Sequence, residues 1–442
     1  MGRTPSATIA EHVQPPSRDQ TMTAQTLCVA MLGAGTVGRA VAEAIRDHPE
    51  RLLTDDGAVI TLTGIAVRDV GRARAAGIEA DLLTDAPAHL VADPETDALV
   101  EVMGGDEPAR TLVMAALRAG KAVVTANKHV VAHHGPELEA AARSTGAALR
   151  FEAAVCGGIP VLGTLAGDLA ANEIGRVRGI VNGTTNYILT AMAQEGRPYD
   201  EVLGDAQELG YAEADPSGDV EGDDAVNKLV ILARLAFGRW LEPASVGRRP
   251  PTARGEGKPG ITGVTDQELE GAAALGLTIK LLATATRRGD AIEASVVPTA
   301  VPADSPFGWT DGVTNRVEID AEPLGSVGLS GPGAGGAATS SAILGDLLSI
   351  ARGLGSTWAG LPAASGPAVA AADPLDGRRH WFAFLPAVES GPLPPALDEA
   401  PTVAFEDGTA IRSEAVTLTE ARAAFSAILP DGVDVTLYPV DD

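Results

Sequence analysis

The sequence is poor in cysteine, short of positive charge and without a long apolar run. Only two cysteines, Cys28 and Cys156, occur in 442 residues, which excludes a disulfide framework and fits a reducing cytoplasm. Against 59 acids stand 33 lysines and arginines, a formal net charge of -26. A surface of that sign repels phosphate backbones and anionic lipid, so neither nucleic acid nor a membrane is expected as a partner. No apolar stretch reaches the roughly 20 residues that a membrane-spanning helix needs. What remains is an ordinary globular composition, 45% hydrophobic, in a chain long enough for two or three well-buried domains.

Residues 1–25 are polar, carry prolines and hold no apolar signal core, so they read as a disordered leader. From Thr26 strands alternate with helices: TLCVAML, the helix GRAVAEAIRDH, VITLTGIAV, ALVEVM, the helix ARTLVMAALRAG and KAVVTA. That alternation implies parallel βαβ units, a Rossmann-type dinucleotide-binding domain over residues 26–150. Over 151–331 the pattern changes. Extended runs (RVRGIVN, AIEASVVP) mix with the long helices TTNYILTAMAQEG and DAVNKLVILARLAFG, which predicts an α+β domain. A Gly-rich turn at 332–336 opens a last helix, to 353, that completes the first domain. Residues 354–442 read as Pro- and Ala-rich linkers and a small α/β appendage, with Thr417 and Glu420 spaced as a capping box.

Gly33, Gly35 and Gly38 in MLGAGTVGRAV, with Thr36 and Val37 between them, form G-x-G-x-x-G after a strand and at the start of a helix. Absent side chains let the backbone approach a pyrophosphate, and the helix N-terminus offers N–H groups and partial positive charge. The second strand delivers Arg68 and Asp69 to the adenosine ribose. An acid there would accept the 2′-OH of NAD, whereas Arg68, with Arg72 and Arg74 nearby, favours the 2′-phosphate of NADP. Thr125, Asn127 and Lys128 follow a later strand, at the sheet edge where open parallel sheets bind ligands. His129, His133 and His134 have no acids or cysteines at metal-ligand spacing and read as helix and loop residues.

EADPSGDVEGDDAVNKL places six acids within residues 213–224 and then Lys228. A calcium loop fails in both frames: from Asp215, Val220 and Val226 stand where glycine and glutamate belong, and from Asp219, Asp224 and Val230 do. Asp224 and Lys228 lie four apart on one helix face, and Val226, Leu229, Val230, Leu232 and Ala233 crowd that helix. A partly buried lysine tends to lose its proton, and neighbouring carboxylates are what keep it charged. Asp219 and Asp224 are therefore expected to serve Lys228 rather than solvent. In AAVCGGIP, Cys156 reads as a small buried residue, in a turn whose glycines free carbonyls for a hard cation. In IVNGTTNYIL, Thr184 or Thr185 can cap the helix.

TANK, FEAAVCGGIPVL, IVNGTTNYIL, GYAEADPSGDVEGDDAVNKLVIL and PGAGGAATSSAILGD, in that order over residues 26–352, resemble the homoserine dehydrogenases. The resemblance implies NAD(P)-dependent interconversion of L-homoserine and L-aspartate 4-semialdehyde, on the route to threonine and methionine, by a homodimer whose 151–331 domain also dimerises. It places the catalytic lysine on Lys228 and a second active-site lysine on Lys128. Substrate-binding acids fall on Glu213, Asp219 and Asp224, and a cofactor-contacting glycine on Gly335. A monovalent cation, sodium, is implied on the carbonyls of Val155, Gly157 and Ile159, with Glu152 close by. Hydride transfer to an aldehyde creates an alkoxide that a nearby ammonium can stabilise and protonate, which suits Lys228. Glu213 suits the substrate ammonium; Lys128 or the N–H groups of Gly183, Thr184 and Thr185 suit its carboxylate or carbonyl oxygen.

The C-terminal piece departs from the regulatory ACT domain of that family, because HWFAFLPAVESGPLPPA runs from its strand into prolines, so a degenerate ACT-like module or an unrelated appendage is expected. No kinase-sized segment precedes residue 26, so a monofunctional enzyme is expected. Two other readings compete: a different Rossmann-type amino-acid dehydrogenase, and a non-catalytic NADP-binding sensor, the latter at odds with the presence of both lysines.

Overall fold

A computed structural model describes residues 26–441 apart from 54–57, 359, 365, 388–393, 395, 396 and 398. The leader expected over 1–25 and the start of the Pro-rich linker lie outside the described residues. Six parallel strands, β1 (Thr26–Leu32), β2 (Val59–Ala66), β3 (Leu83–Thr84), β4 (Ala98–Glu101), β5 (Ala122–Thr125) and β6 (Leu149–Arg150), form one sheet. Its order is β3-β2-β1-β4-β5-β6. Helices α1 (Thr36–Asp47), α2 (Val70–Ala75), α3 (Pro87–Ala92), α4 (Ala109–Arg118) and α5 (Lys128–Thr145) connect the strands. Strand order reverses between β1 and β4, and the crevice beyond their carboxyl ends is where such sheets take ligands. Central strands buried on both faces need continuous apolar runs, and Val29 to Leu32 are fully buried.

The chain then builds short α6 (Val161–Gly163), β7 (Glu173–Ile180), α7 (Gly183–Glu195), α8 (Tyr199–Glu208), α9 (Ser217–Val220), α10 (Asp223–Phe237) and α11 (Asp266–Ala274). Strands β8 (Leu277–Arg288), β9 (Ala291–Pro302), β10 (Thr314–Glu322) and β11 (Gly325–Pro332) follow. They join β7 in an antiparallel sheet of order β11-β10-β7-β8-β9. Every residue of α10 from Asp224 to Phe237 is buried, the mark of a helix enclosed on all sides rather than on one stripe. Each fully buried aliphatic side chain in it, such as Leu229 or Ile231, contributes about 1.5–3 kcal/mol, so α10 is a rigid mount for what it carries.

Helix α12 (Gly336–Ala351) returns to the first sheet and packs beside α1, with Gly336 lying against Thr36. The last segment holds β12 (Trp381–Pro386), β13 (Thr402–Ala404), β14 (Gly408–Arg412), α13 (Leu418–Ser426) and β15 (Tyr438–Pro439). Their antiparallel order, β13-β14-β12-β15, is that of a ferredoxin-like split β-α-β sheet. This module is seated on α11: a Cβ on Gly271 would come within 2.7 Å of the Phe384 ring. The Thr417–Glu420 capping box expected from sequence opens α13.

Candidate active site

Lys228 lies in the first half of α10, with 8% of its surface exposed. Its Nζ donates to Asp224 Oδ2 at 2.7 Å and to the Val181 carbonyl, at the end of β7, at 2.6 Å. An ammonium has three donors, and among the described residues the third meets no partner. Asp224 Oδ1 stands 3.1 Å from Nζ of Lys128, which is 43% exposed on the first turn of α5. One buried carboxylate thus holds two lysines, one from each domain. Asn182 Nδ2 bridges Asp219 Oδ1 at 2.7 Å and Asp224 Oδ2 at 2.8 Å.

Burial alone would push the Asp224 carboxyl up, but the charges of Lys228 and Lys128 and the hydrogen bonds from Lys228 and Asn182 hold it far below the usual carboxylate range. Burial alone would push Lys228 down, and Asp224 outweighs it, so its pKa is raised. Asp219 is moved the other way, raised by burial and by the negative charge of Asp224. The site therefore keeps a charged ammonium inside the protein through a counter-ion buried with it.

In the nucleotide crevice, Gly33 and Gly38 are required by the protein's own packing. Added Cβ atoms would stand 2.8 Å from the Val102 carbonyl and 2.3 Å from the Gly33 carbonyl. Gly35 differs: a Cβ there would meet nothing within 4 Å, and Gly35 is the N-cap of α1. Gly335, φ +104°, is the N-cap of α12 and is equally open. Two helix N-termini thus converge, with Thr36 exposed between them and Val37 partly buried. Partial positive charges at such termini suit a pyrophosphate. Arg68 is exposed just beyond β2. Asp69, the alternative ribose acceptor, uses its carboxylate to cap α2, accepting from Arg72 N at 2.8 Å. Thr125 is fully buried at the end of β5.

The homoserine dehydrogenase NAD-binding family model matches residues 33–152, and the homoserine dehydrogenase family model matches 160–348. The Bacillus subtilis homoserine dehydrogenase is 40% identical over 326 residues, 74% of this chain and 73% of that protein. The chain belongs to the homoserine dehydrogenase family. The Mycobacterium tuberculosis homoserine dehydrogenase is 45% identical over 329 residues, 73% of this chain and 72% of its own. The crystal structure of a homoserine dehydrogenase from Thiobacillus denitrificans superposes with a TM-score of 0.83 at 33% identity, covering 95% of this chain and 99% of that one. A hyperthermophilic archaeal homoserine dehydrogenase solved with NADPH covers 77% of this chain and 100% of its own, at 27% identity and a TM-score of 0.63. The activity is accordingly that of an oxidoreductase acting on a CH–OH group, hydride transfer between a nicotinamide cofactor and L-aspartate 4-semialdehyde giving L-homoserine.

Five of the six acids of 213–224 in this homoserine dehydrogenase family member divide sharply. Asp219 and Asp224 turn inward; Asp223 pairs with Arg248, Asp215 accepts from Ser217 N, and Glu213 is exposed. Glu213 is not brought into the Lys228 network: its backbone carbonyl accepts from Gln207. The cap of α7 is neither Thr184 nor Thr185 but Asn182, whose Oδ1 accepts from Thr185 N at 2.9 Å. Its short amide reaches the N-terminal N–H better than a hydroxyl one residue inside the helix. Thr184 Oγ1 donates to the Tyr211 carbonyl, and Gly183 sits against Val313. Asn182 is the residue sequence reasoning missed, although an Asn just before Gly-Thr-Thr is a recognised cap signal.

The 155–159 loop fits in part the donor set expected from sequence for a cation. Among the described residues no hydrogen bond reaches the Val155 or Gly157 carbonyl, whereas the Ile159 carbonyl accepts from Val161 N. Glu152 accepts from Leu162 N and Gly163 N, and burial with the nearby charge of Asp346 pushes it up to about 7. Cys156 is buried at φ +50°, its thiol pushed up to about 12 by burial, which disables it as a nucleophile. His129 and His133 stack at 4.2 Å and His134 pairs with Asp106 and Glu137. Among the described residues no cluster of His, Cys, Asp or Glu has metal-binding geometry, and no helix is long and apolar enough to cross a membrane.

Proposed function

We propose that Lys228 is the proton donor and oxyanion stabiliser of the reduction, with NADPH as the favoured cofactor. The observation that carries the reading is the uncommitted N–H of a buried ammonium whose other two bonds fix its direction. When bound, the cofactor supplies a hydride to the aldehyde carbon. Lys228 faces the oxygen that gains charge and gives it a proton, and Asp224 keeps the amine charged until then. In oxidation the same nitrogen must first be neutral. Lys128, half-exposed and shared on Asp224, serves the substrate carboxylate or carbonyl oxygen. With Thr185 N committed to Asn182, only Gly183 and Thr184 remain as backbone donors for the same task. Glu213 is assigned to the substrate ammonium by family likeness, and Asp219 is tied to the Lys228 network through Asn182.

NADPH is favoured because Asp69 is engaged as a helix cap while Arg68 is exposed at the ribose end. The cation reading rests on the free Val155 and Gly157 carbonyls with Glu152, which suit a hard ion. A homodimer is supported by the exposed edge strand β11 and exposed Trp309 and Leu324 on the same domain. Free Cys28 and Cys156 accord with the cytoplasm. The domain division proposed is 26–150 with 332–353, then 151–331, then 354–442, the last a degenerate ACT-like module by its strand order. Lys228→Ala is the direct test: NADPH binding at wild-type affinity with reduction slowed about 10²- to 10⁴-fold supports the role, and unchanged turnover refutes it.

A further inference from the structure

The nucleotide domain contains a buried carboxylate that the reaction described so far does not use. Glu101 ends β4 with no exposed surface, between Leu32 of β1 and Thr125 of β5. Among the described residues it has no cationic partner. Its Oε1 accepts from Met103 N at 2.8 Å and Gly104 N at 3.3 Å, and its Oε2 from Thr125 Oγ1 at 2.6 Å. The chain of bonds continues. Thr125 Oγ1 accepts from Asn127 N at 3.0 Å; Asn127 Nδ2 donates to the Gly105 carbonyl at 2.7 Å, and its Oδ1 caps α5 by accepting from Val130 N at 3.2 Å. The residue after that cap is Lys128.

An unpaired buried carboxylate is costly and persists where its hydrogen bonds are needed. Here they lace the 102–105 loop to the 125–127 loop, the two loops after the strands on the far side of the switch point. We propose that Glu101 is a positioning residue that fixes the N-terminus of α5, and so the approach of Lys128 to Asp224 and the substrate. This rests on the active-site role given to Lys128 above. Glu101 touches neither lysine and acts through Thr125 and Asn127.

Glu101→Gln keeps the shape but removes the charge and reverses one bond: the new NH₂ donates to the Thr125 hydroxyl, whose own proton loses the carboxylate that accepts it. The test is a double-mutant cycle on the full chain, with NADPH and aspartate semialdehyde: wild type, Glu101→Gln, Lys128→Ala and the double variant. Glu101→Gln is expected to lower kcat about 10- to 100-fold, to raise the primary isotope effect from deuterated NADPH and to melt near the wild-type temperature. In the Lys128→Ala background it should cost almost nothing more. Thr125→Val should reproduce the loss, and Thr125→Ser, which keeps the hydroxyl, should restore it. An equal loss from Glu101→Gln with and without Lys128, or a loss of Tm with unchanged kcat, overturns the proposal. Lys128→Ala alone leaving turnover intact would instead overturn the role of Lys128.

Discussion

Among the described residues two buried lysines pair with an aspartate carboxylate, and the two are built differently. Lys228 pairs with Asp224, which is buried beside it, and its pKa is raised. Lys280, on β8, is 2% exposed and pairs at 3.0 Å with Asp311, whose side chain is 49% exposed. Burial prevails there, and the Lys280 pKa is lowered. Lys280 also has no donor to spare: besides Asp311 it reaches the Thr310 carbonyl at 2.9 Å and, more loosely, Asn186 and Thr190. It clamps the 310–314 loop. A buried lysine can serve a reaction when its counter-ion is buried with it and one N–H remains for a ligand; burial alone does not distinguish the two.

Substitutions can break this contrast. Asp224→Asn should have the largest effect after loss of Lys228 itself: both lysines lose their anion, kcat/KM for reduction falls about 100-fold or more, and the alkaline limit of activity moves to lower pH. Retained activity with an unmoved limit would mean that the buried carboxylate is not what charges Lys228. Lys280→Met should do less and do it elsewhere. The hydrogen bonds lost are worth about 1.5–3 kcal/mol, and Asp311, half in water, is not left stranded. Denaturant unfolding should show that loss while turnover stays near wild type. Turnover abolished as in Lys228→Ala would erase the distinction.

Much of this was legible in the sequence, for identifiable reasons. The phosphate turn and the βαβ alternation are local patterns, and the burial of Lys228 followed from the apolar residues around it on one helix. The inward-facing pair of acids was also legible, because helical spacing places Asp224 beneath Lys228. What escaped depended on long-range pairing. Asn182 acquires its role only when β7 ends next to α9 and α10, and Glu101 only when β4 lies between β1 and β5. The two-residue strands β3 and β6 carry no periodicity and exist through their neighbours. Asp69 could be read from sequence as one alternative at the ribose, and its use as the α2 cap depends on backbone geometry. The order of the C-terminal sheet likewise rests on pairings between β12 and β14, whose partners lie 22 to 30 residues apart, that no local pattern announces.

The pH dependence of kcat, measured in both directions, tests the state of Lys228 most directly. The groups facing it are Asp224 and Asp219 from α10 and α9, Lys128 from α5 and Cys156 from the 155–159 loop. A raised folded pKa keeps the amine protonated up to and beyond the ordinary lysine value of about 10.4. Reduction, which needs the proton, should therefore be level from about pH 6 to 10 and fall only above that, while oxidation, which needs the neutral amine, should climb across the same range. A reduction rate that titrates away near pH 7 to 8 in still-folded enzyme would contradict the account.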